Sequence, residues 1–181
     1  VTSSNTIEVS NSNIHDCGTG LSIYNSRVSL TDNVITNSDD GYYGNAIYMS
    51  NCSSGKVTLD NCEITNNGVG TDYNSAAIYL YSSDPEIINC TIENNSGGGI
   101  ACISSTPDLD TYDISGNKFN NIQSNGSGTQ WGYYGAEIYL VSNSYPLIKY
   151  NNIWDFDLGP IGAMIYKDDV SNNLALFANN C

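Results

Sequence analysis

Six cysteines, Cys17, Cys52, Cys62, Cys90, Cys102 and Cys181, are the residues of this chain best suited to covalent chemistry. None stands in a CxxC or Cys/His spacing of the zinc kind, and the only histidine is His15, so thiol or disulfide chemistry in an oxidising setting is the expectation. Carboxylates come next. Asp39-Asp40 and Asp168-Asp169 are paired acids, and two carboxylates can do glycosidase work. Neighbours on extended backbone point to opposite sides, so both pairs are read as solvated turn residues. Asp108, Asp110 and Asp113 could gather a calcium ion, since a hard cation wants several oxygens, but their spacing is generic. Calcium is the one candidate cofactor, and none is expected otherwise.

The charge balance narrows the partners. Five Lys+Arg against 19 Asp+Glu give a net charge of −14, which repels nucleic acid and acidic membranes and leaves cations, neutral glycans and proteins. No run approaches the ~18 apolar residues of a spanning helix and no charged-then-apolar leader precedes Val1, so membrane insertion is not expected. Asn and Ser are the commonest residues. The sequons at Asn51, Asn89, Asn94 and Asn125 are compatible with an exported protein, although an Asn- and Ser-rich chain produces such triplets by chance. An extracellular location at the cell envelope is expected.

What must position these groups is a repeat. One apolar anchor recurs at Ile14, Ile35, Ile64, Ile92, Phe119, Ile153 and Phe177, at intervals of 21 to 34 residues. Five residues before it stand Val9, Leu30, Leu59, Ile87, Ile114 and Ile148. Seven before it stand Ile7, Val28, Val57, Pro85, Tyr112 and Pro146. This alternation is that of a strand with one buried face. A second anchor recurs at Leu21, Ile47, Ile78, Ile100, Ile138 and Ile165, followed two residues later by Ile23, Met49, Leu80, Cys102, Leu140 and Lys167. Each unit thus carries three short strands and no helical periodicity, and no unit can bury its apolar face alone. Stacked in parallel at ~4.8 Å, the units predict an all-β fold: a right-handed, single-stranded parallel β-helix (solenoid) of about six coils and a partial seventh, one domain over 1–181. Stacked Asn at the turns would form side-chain ladders.

With these repeats the chain resembles the parallel β-helix proteins of the pectate-lyase-like superfamily. More narrowly it is similar to their non-enzymatic cell-surface members. The polymorphic outer-membrane autotransporters carry GGA(I/L/V) and FxxN repeats, which AAIY, GGGI and FANN approximate here, and the adhesin-like and sheath proteins of methanogenic archaea are similarly Asn-rich, acidic and repetitive. Lyases of the superfamily use Asp-rich calcium sites with a nearby Arg or Lys, and its hydrolases use several Asp with a nearby His and Arg. This chain has one arginine, Arg27, and one histidine, His15, in separate coils with no matching motif around either, so no catalytic residue is carried over and a non-enzyme is expected. Ice binding would need a flat ladder of Thr, whereas the outward positions are Tyr and Ser.

The coils vary in length mainly between the two anchors, which gathers the insertions at one corner. Tyr42, Tyr43, Tyr73, Trp131, Tyr133 and Tyr134 should therefore project along one edge and offer stiff aromatic surface to sugars or proteins, or fold back over the coil. The row Tyr48, Tyr79, Tyr139 and Tyr166 reads as stacking along one face. Cys62 and Cys90 share an inward position in adjacent coils, where they pair or stack as small apolar thiols, and Cys102 is also inward. Cys17 and Cys181 each follow an anchor, near opposite ends, too far apart to bond within one molecule. They are read as candidate cross-links between copies stacked end to end, with Cys52 available laterally. The expected function is a structural subunit of a cell-surface assembly (sheath, S-layer-like or filament) whose partner is itself. The alternative is an adhesin or glycan-binding module using the aromatic edge, and a polysaccharide lyase or hydrolase ranks below both.

Overall fold

The computed structural model describes residues 6–38, 45–53, 55–68, 73–96, 98–109, 121–123, 137–149, 152–154, 165–167 and 176–178. Its strands fall into three parallel sheets that the chain visits in turn, the arrangement of a parallel β-helix. The first sheet holds Ile7–Ser10, Val28–Thr31, Val57–Asp60, Glu86–Ile88, Asp108–Leu109, Leu147–Lys149 and Leu176–Ala178. The second holds Asn13–His15, Val34–Thr36, Glu63–Thr65, Thr91–Glu93, Asn121–Gln123 and Asn152–Trp154. The third holds Leu21–Tyr24, Ile47–Ser50, Ile78–Tyr81, Ile100–Ile103, Ile138–Val141 and Ile165–Lys167. A single turn of 3₁₀ helix, Tyr73–Ser75, precedes the third strand of the third sheet.

Like stacks on like because every strand pairs in register with those above and below it. Ile14, Ile35, Ile64 and Ile92 form one continuous inward row, and Ile47, Ile78, Ile100 and Ile138 another. Leu30, Leu59 and Ile87 close the third side, and these side chains are fully buried. Among the described residues no strand is longer than four residues. Cohesion comes from the shared core and from pairing across coils, not from any one coil.

Two rows differ from the sequence expectation. In the fifth coil the second-sheet anchor is Ile122, paired with Ile92 and Ile153, and not Phe119. The first-sheet position is Leu109, paired with Ile148, and not Ile114. Both spellings offer an aliphatic residue and an anchor, but the neighbouring coils select Pro107-Asp108-Leu109. It aligns with Pro85-Glu86-Ile87 below and Pro146-Leu147-Ile148 above, with Asp108 N–H donating to Pro85 O and Leu147 N–H to Pro107 O at 3.0 Å each. Thirteen residues then separate the two rows where other coils use five, so insertions are not confined to one corner. The other correction is Phe177, which pairs with Ile148 in the first sheet and is not a second-sheet anchor.

The corners follow one rule. Asn11, Asp16, Asn25, Asp32, Asn37, Asn51, Asn61, Asn66, Asn89, Asn94 and Asn143, with Ser82, Ser104 and Ser142, have positive φ between 43° and 62°. Asn and Asp tolerate this left-handed conformation better than other side-chain-bearing residues. At several corners the backbone N–H of the residue that follows donates to the side chain of its equivalent in the next coil. At the corner between second and third sheets, Ser38 N–H donates to Asn67 Oδ1 (3.0 Å) and Asn67 N–H to Asn95 Oδ1 (2.9 Å). Between the third and first, Cys52 N–H donates to Ser83 Oγ, Ser83 N–H to Ser105 Oγ and Ser105 N–H to Ser144 Oγ, at 3.0–3.2 Å. Between the first and second, Ser12 N–H donates to Asn33 Oδ1 at 3.0 Å. The abundance of Asn thus has two causes, the left-handed turn and the ladder, of which only the ladder was expected.

Candidate functional surfaces

The corner rule accounts for four of the cysteines. Cys17, Cys52, Cys62 and Cys90 each follow a left-handed residue, and each thiol donates to the carbonyl two residues back: His15 O (3.2 Å), Ser50 O (3.5 Å), Asp60 O (3.5 Å) and Ile88 O (3.1 Å). Ser83 and Ser105 make the same bond to Tyr81 O and Ile103 O, so a thiol replaces a hydroxyl in one recurring turn. The dipeptides Asn51-Cys52, Asn61-Cys62 and Asn89-Cys90, set beside Asn66-Asn67 and Asn94-Asn95, are the sequence signal that could have shown this.

The environments of the thiols differ. Cys52 is fully buried, its sulfur 3.7 Å from Ile23 O, which corrects the expectation that it is available laterally. Cys17 is half-buried in the first coil. Cys181 lies outside the described residues. With Phe177 in the first sheet, Cys181 no longer follows a second-sheet anchor as Cys17 does, so the matching-corner argument for their cross-link is lost. Cys102 faces the core between Leu80 and Leu140, and burial pushes its thiol well above the ordinary range, with the charge of Asp84 adding to the effect.

Cys62 and Cys90 stand one above the other at the corner between first and second sheets, each just before the paired Glu63 and Thr91. No disulfide is formed among the described residues. The Cys90 hydrogen bond lowers the Cys62 thiol from 9.0 to about 7 against the opposing cost of burial, with Asn33 and the Asp60 backbone adding to the lowering. Cys90 is pushed up, first by burial and then by Cys62 itself. Cys62 forms part of the wall of a shallow surface groove with Asp32, Asn61, Glu63, Asn89 and Thr91.

The outer face of the third sheet is the second surface. Tyr48 and Tyr79 occupy the same position in adjacent coils and stack with ring centroids 5.4 Å apart and planes 6° from parallel. Both are half-buried, and with Asn45 and Asn74 they line a groove. The Asn45 amide donates to Asn74 O (2.8 Å) and Ala76 O (2.6 Å), which fixes the chain beside the rings. Tyr139 continues the row beyond Ala101 but is buried, packed with Ala76, Ala101 and Ile103 as a small apolar cluster apart from the main core. Tyr81 (45% exposed) lies two residues beyond Tyr79 on the same face, and Tyr24 (68%) holds the equivalent position in the first coil, with Ser50 between them.

The remaining expected site residues are dispersed or not described. Tyr42, Tyr43, Trp131, Tyr133, Tyr134, Asp39, Asp40, Asp110, Asp113, Asp168 and Asp169 lie outside the described residues. Tyr73 begins the 3₁₀ turn, and its side chain is not among those described. Asp108 sits on its strand between Glu86 and Leu147. Among the described residues no group of three potential metal ligands is found. His15 bonds Asp16 at 2.8 Å, both exposed, and Arg27 is exposed just before the second strand of the first sheet.

Neither the curated proteins nor the solved structures contain a match to the chain. The model of the right-handed β-helix region matches residues 1–130 and again 45–181, the span of the three sheets. With its short parallel strands stacked in register around one core, the chain belongs to the right-handed β-helix family.

Proposed function

We propose that the chain is a non-enzymatic structural subunit of an extracellular cell-surface assembly, a sheath, S-layer-like array or filament. The observation that carries this reading is the register of the three sheets, in which each coil offers the next the same backbone edge, with side-chain ladders at the corners. A coil of a second copy can be received in that geometry, and head-to-tail contacts that do not close generate filaments. The resemblance to archaeal sheath and adhesin-like proteins and to autotransporter repeats points the same way. Burial of Cys52 removes it as a lateral cross-link, and without the matching corner a Cys17–Cys181 link between copies is not required by this reading. Negative-stain microscopy and light scattering over a concentration series test the reading: filaments, hoops or tubes are expected, and a monomer up to the solubility limit overturns it. Non-reducing gels report separately on the cross-link. Lyase or hydrolase activity on acidic polysaccharide, lost on changing Asp39 or Arg27, would overturn the non-enzymatic part.

A second reading, a glycan-binding surface module, is favoured by the Tyr48–Tyr79 stack with Asn45 and Asn74 beside it. Stiff aromatic rings next to amides suit the apolar faces and hydroxyls of neutral sugars. A neutral-glycan array probed with the protein and with Tyr48→Ala tests it. Binding that falls more than tenfold in the variant supports this reading, and an array without signal rejects it.

A further inference from the structure

We propose that Cys62 and Cys90 are an oxidisable dithiol, which a hydroperoxide converts into a disulfide that staples the third coil to the fourth. Glu63 pairs in register with Thr91, and Thr91 N–H donates to Cys62 O at 2.9 Å, so the preceding residues, Cys62 and Cys90, lie directly above one another. Neighbouring strands are ~4.8 Å apart, within the Cα separation that a disulfide spans. The two thiols are close enough to perturb one another, Cys62 being lowered and Cys90 raised.

No other described cysteine has such a neighbour. Cys102 stacks between Leu80 and Leu140, Cys52 N–H bonds to Ser83, and Cys17 corresponds to Ser38 on its own corner.

The site also has an entrance and a division of labour. Cys62, 2% exposed, borders the surface groove, whereas Cys90 has no exposed surface and is not part of its wall. The Asn33 amide points at the Cys62 sulfur at 4.0 Å, and Asn33 and Cys90 favour its thiolate, which makes Cys62 the attacking group. The Cys62 thiolate attacks one peroxide oxygen; the O–O bond breaks, and the departing hydroxide takes up the proton that Cys62 released, leaving a sulfenic acid and one water. The Cys90 sulfur then attacks the Cys62 sulfur, the S–O bond breaks, and the hydroxyl leaves with the Cys90 proton as a second water. Two thiols are oxidised and one peroxide is reduced.

The test uses the whole chain, reduced and then treated with hydrogen peroxide. Titratable thiols in denaturant should fall from the six of the sequence to four, and dithiothreitol should restore them. A non-reducing chymotryptic map should show Cys62 joined to Cys90. Cys90→Ser should keep its remaining thiols unlinked and yield a sulfenic acid at Cys62 that dimedone captures. Linkage of Cys62 or Cys90 to any other cysteine, oxidation of Cys62 to sulfinic acid without linkage in the unaltered chain, or six thiols remaining after treatment would each overturn the proposal.

Discussion

The carboxamide of Asn95 accepts a hydrogen bond from the backbone N–H of Asn67 at 2.9 Å, and the carboxamide of Asn67 does the same for Ser38 one coil below. The amide hydrogens of Asn67 go to Ile35 O and Thr65 O at 3.0 and 2.9 Å, so its side chain ties two coils together at a fully buried corner. Asn67→Ala leaves the buried Ser38 N–H and Ile35 O without these partners, which costs about 3 kcal/mol. Asn67→Asp should be worse, since it places acceptors against those carbonyls. Urea unfolding followed by circular dichroism measures both.

Asn66, the next residue back, is exposed and has a φ of 56°. Its requirement is conformational. Asn66→Gly should stay within about 0.5 kcal/mol of the parent, whereas Asn66→Val should lose about 1–2 kcal/mol because a β-branched residue resists the left-handed region. Equal losses in the two variants would show that the side chain, not the backbone, matters there.

Gly20 lies where the chain enters the third sheet, its N–H donating to Asn45 O at 3.1 Å. A Cβ there would stand 2.6 Å from Ala46 O and 2.9 Å from Ile35 Cγ2, a clash with backbone that cannot swing aside. Gly20→Ala should destabilise the fold by about 1–3 kcal/mol, the usual cost of overpacking. A thermal melt reads the shift.

Cys52→Ser should change stability by less than about 1 kcal/mol, because the hydroxyl can repeat the short-range bond that Ser83 and Ser105 make at the same corner. Cys52→Val, of similar size but without a donor, should cost more. Parallel denaturation curves decide between a polar and a purely apolar role for this buried thiol.

The thiols of Cys62 and Cys102 should respond oppositely to pH. Cys62, lowered to about 7, is mostly thiol below that value and mostly thiolate above it, so its alkylation by iodoacetamide should rise through pH 7 and level off by about pH 8. Cys102, pushed up by burial, should stay unmodified across that range until denaturant is added. Peptide-resolved mass spectrometry follows each site. Equal rates at the two would contradict the difference in environment.

The sequence alone determined the coil. Aliphatic residues alternating at Ile7 and Val9, Val28 and Leu30, Val57 and Leu59, and at Ile47 and Met49, Ile78 and Leu80, specify short strands with one buried face, because a period of two is a local property of extended backbone. The tertiary structure decided what local spacing leaves degenerate. Phe119 and Ile122, or Ile114 and Leu109, satisfy the same local pattern, and only pairing with the coils on either side chooses between them. The same holds for the cysteines. Whether Cys52 faces solvent or core, and whether Cys62 meets Cys90, depends on a left-handed residue turning the chain at each corner and on the coil stacked next to it, and both are contacts between residues about 20 to 40 apart in sequence.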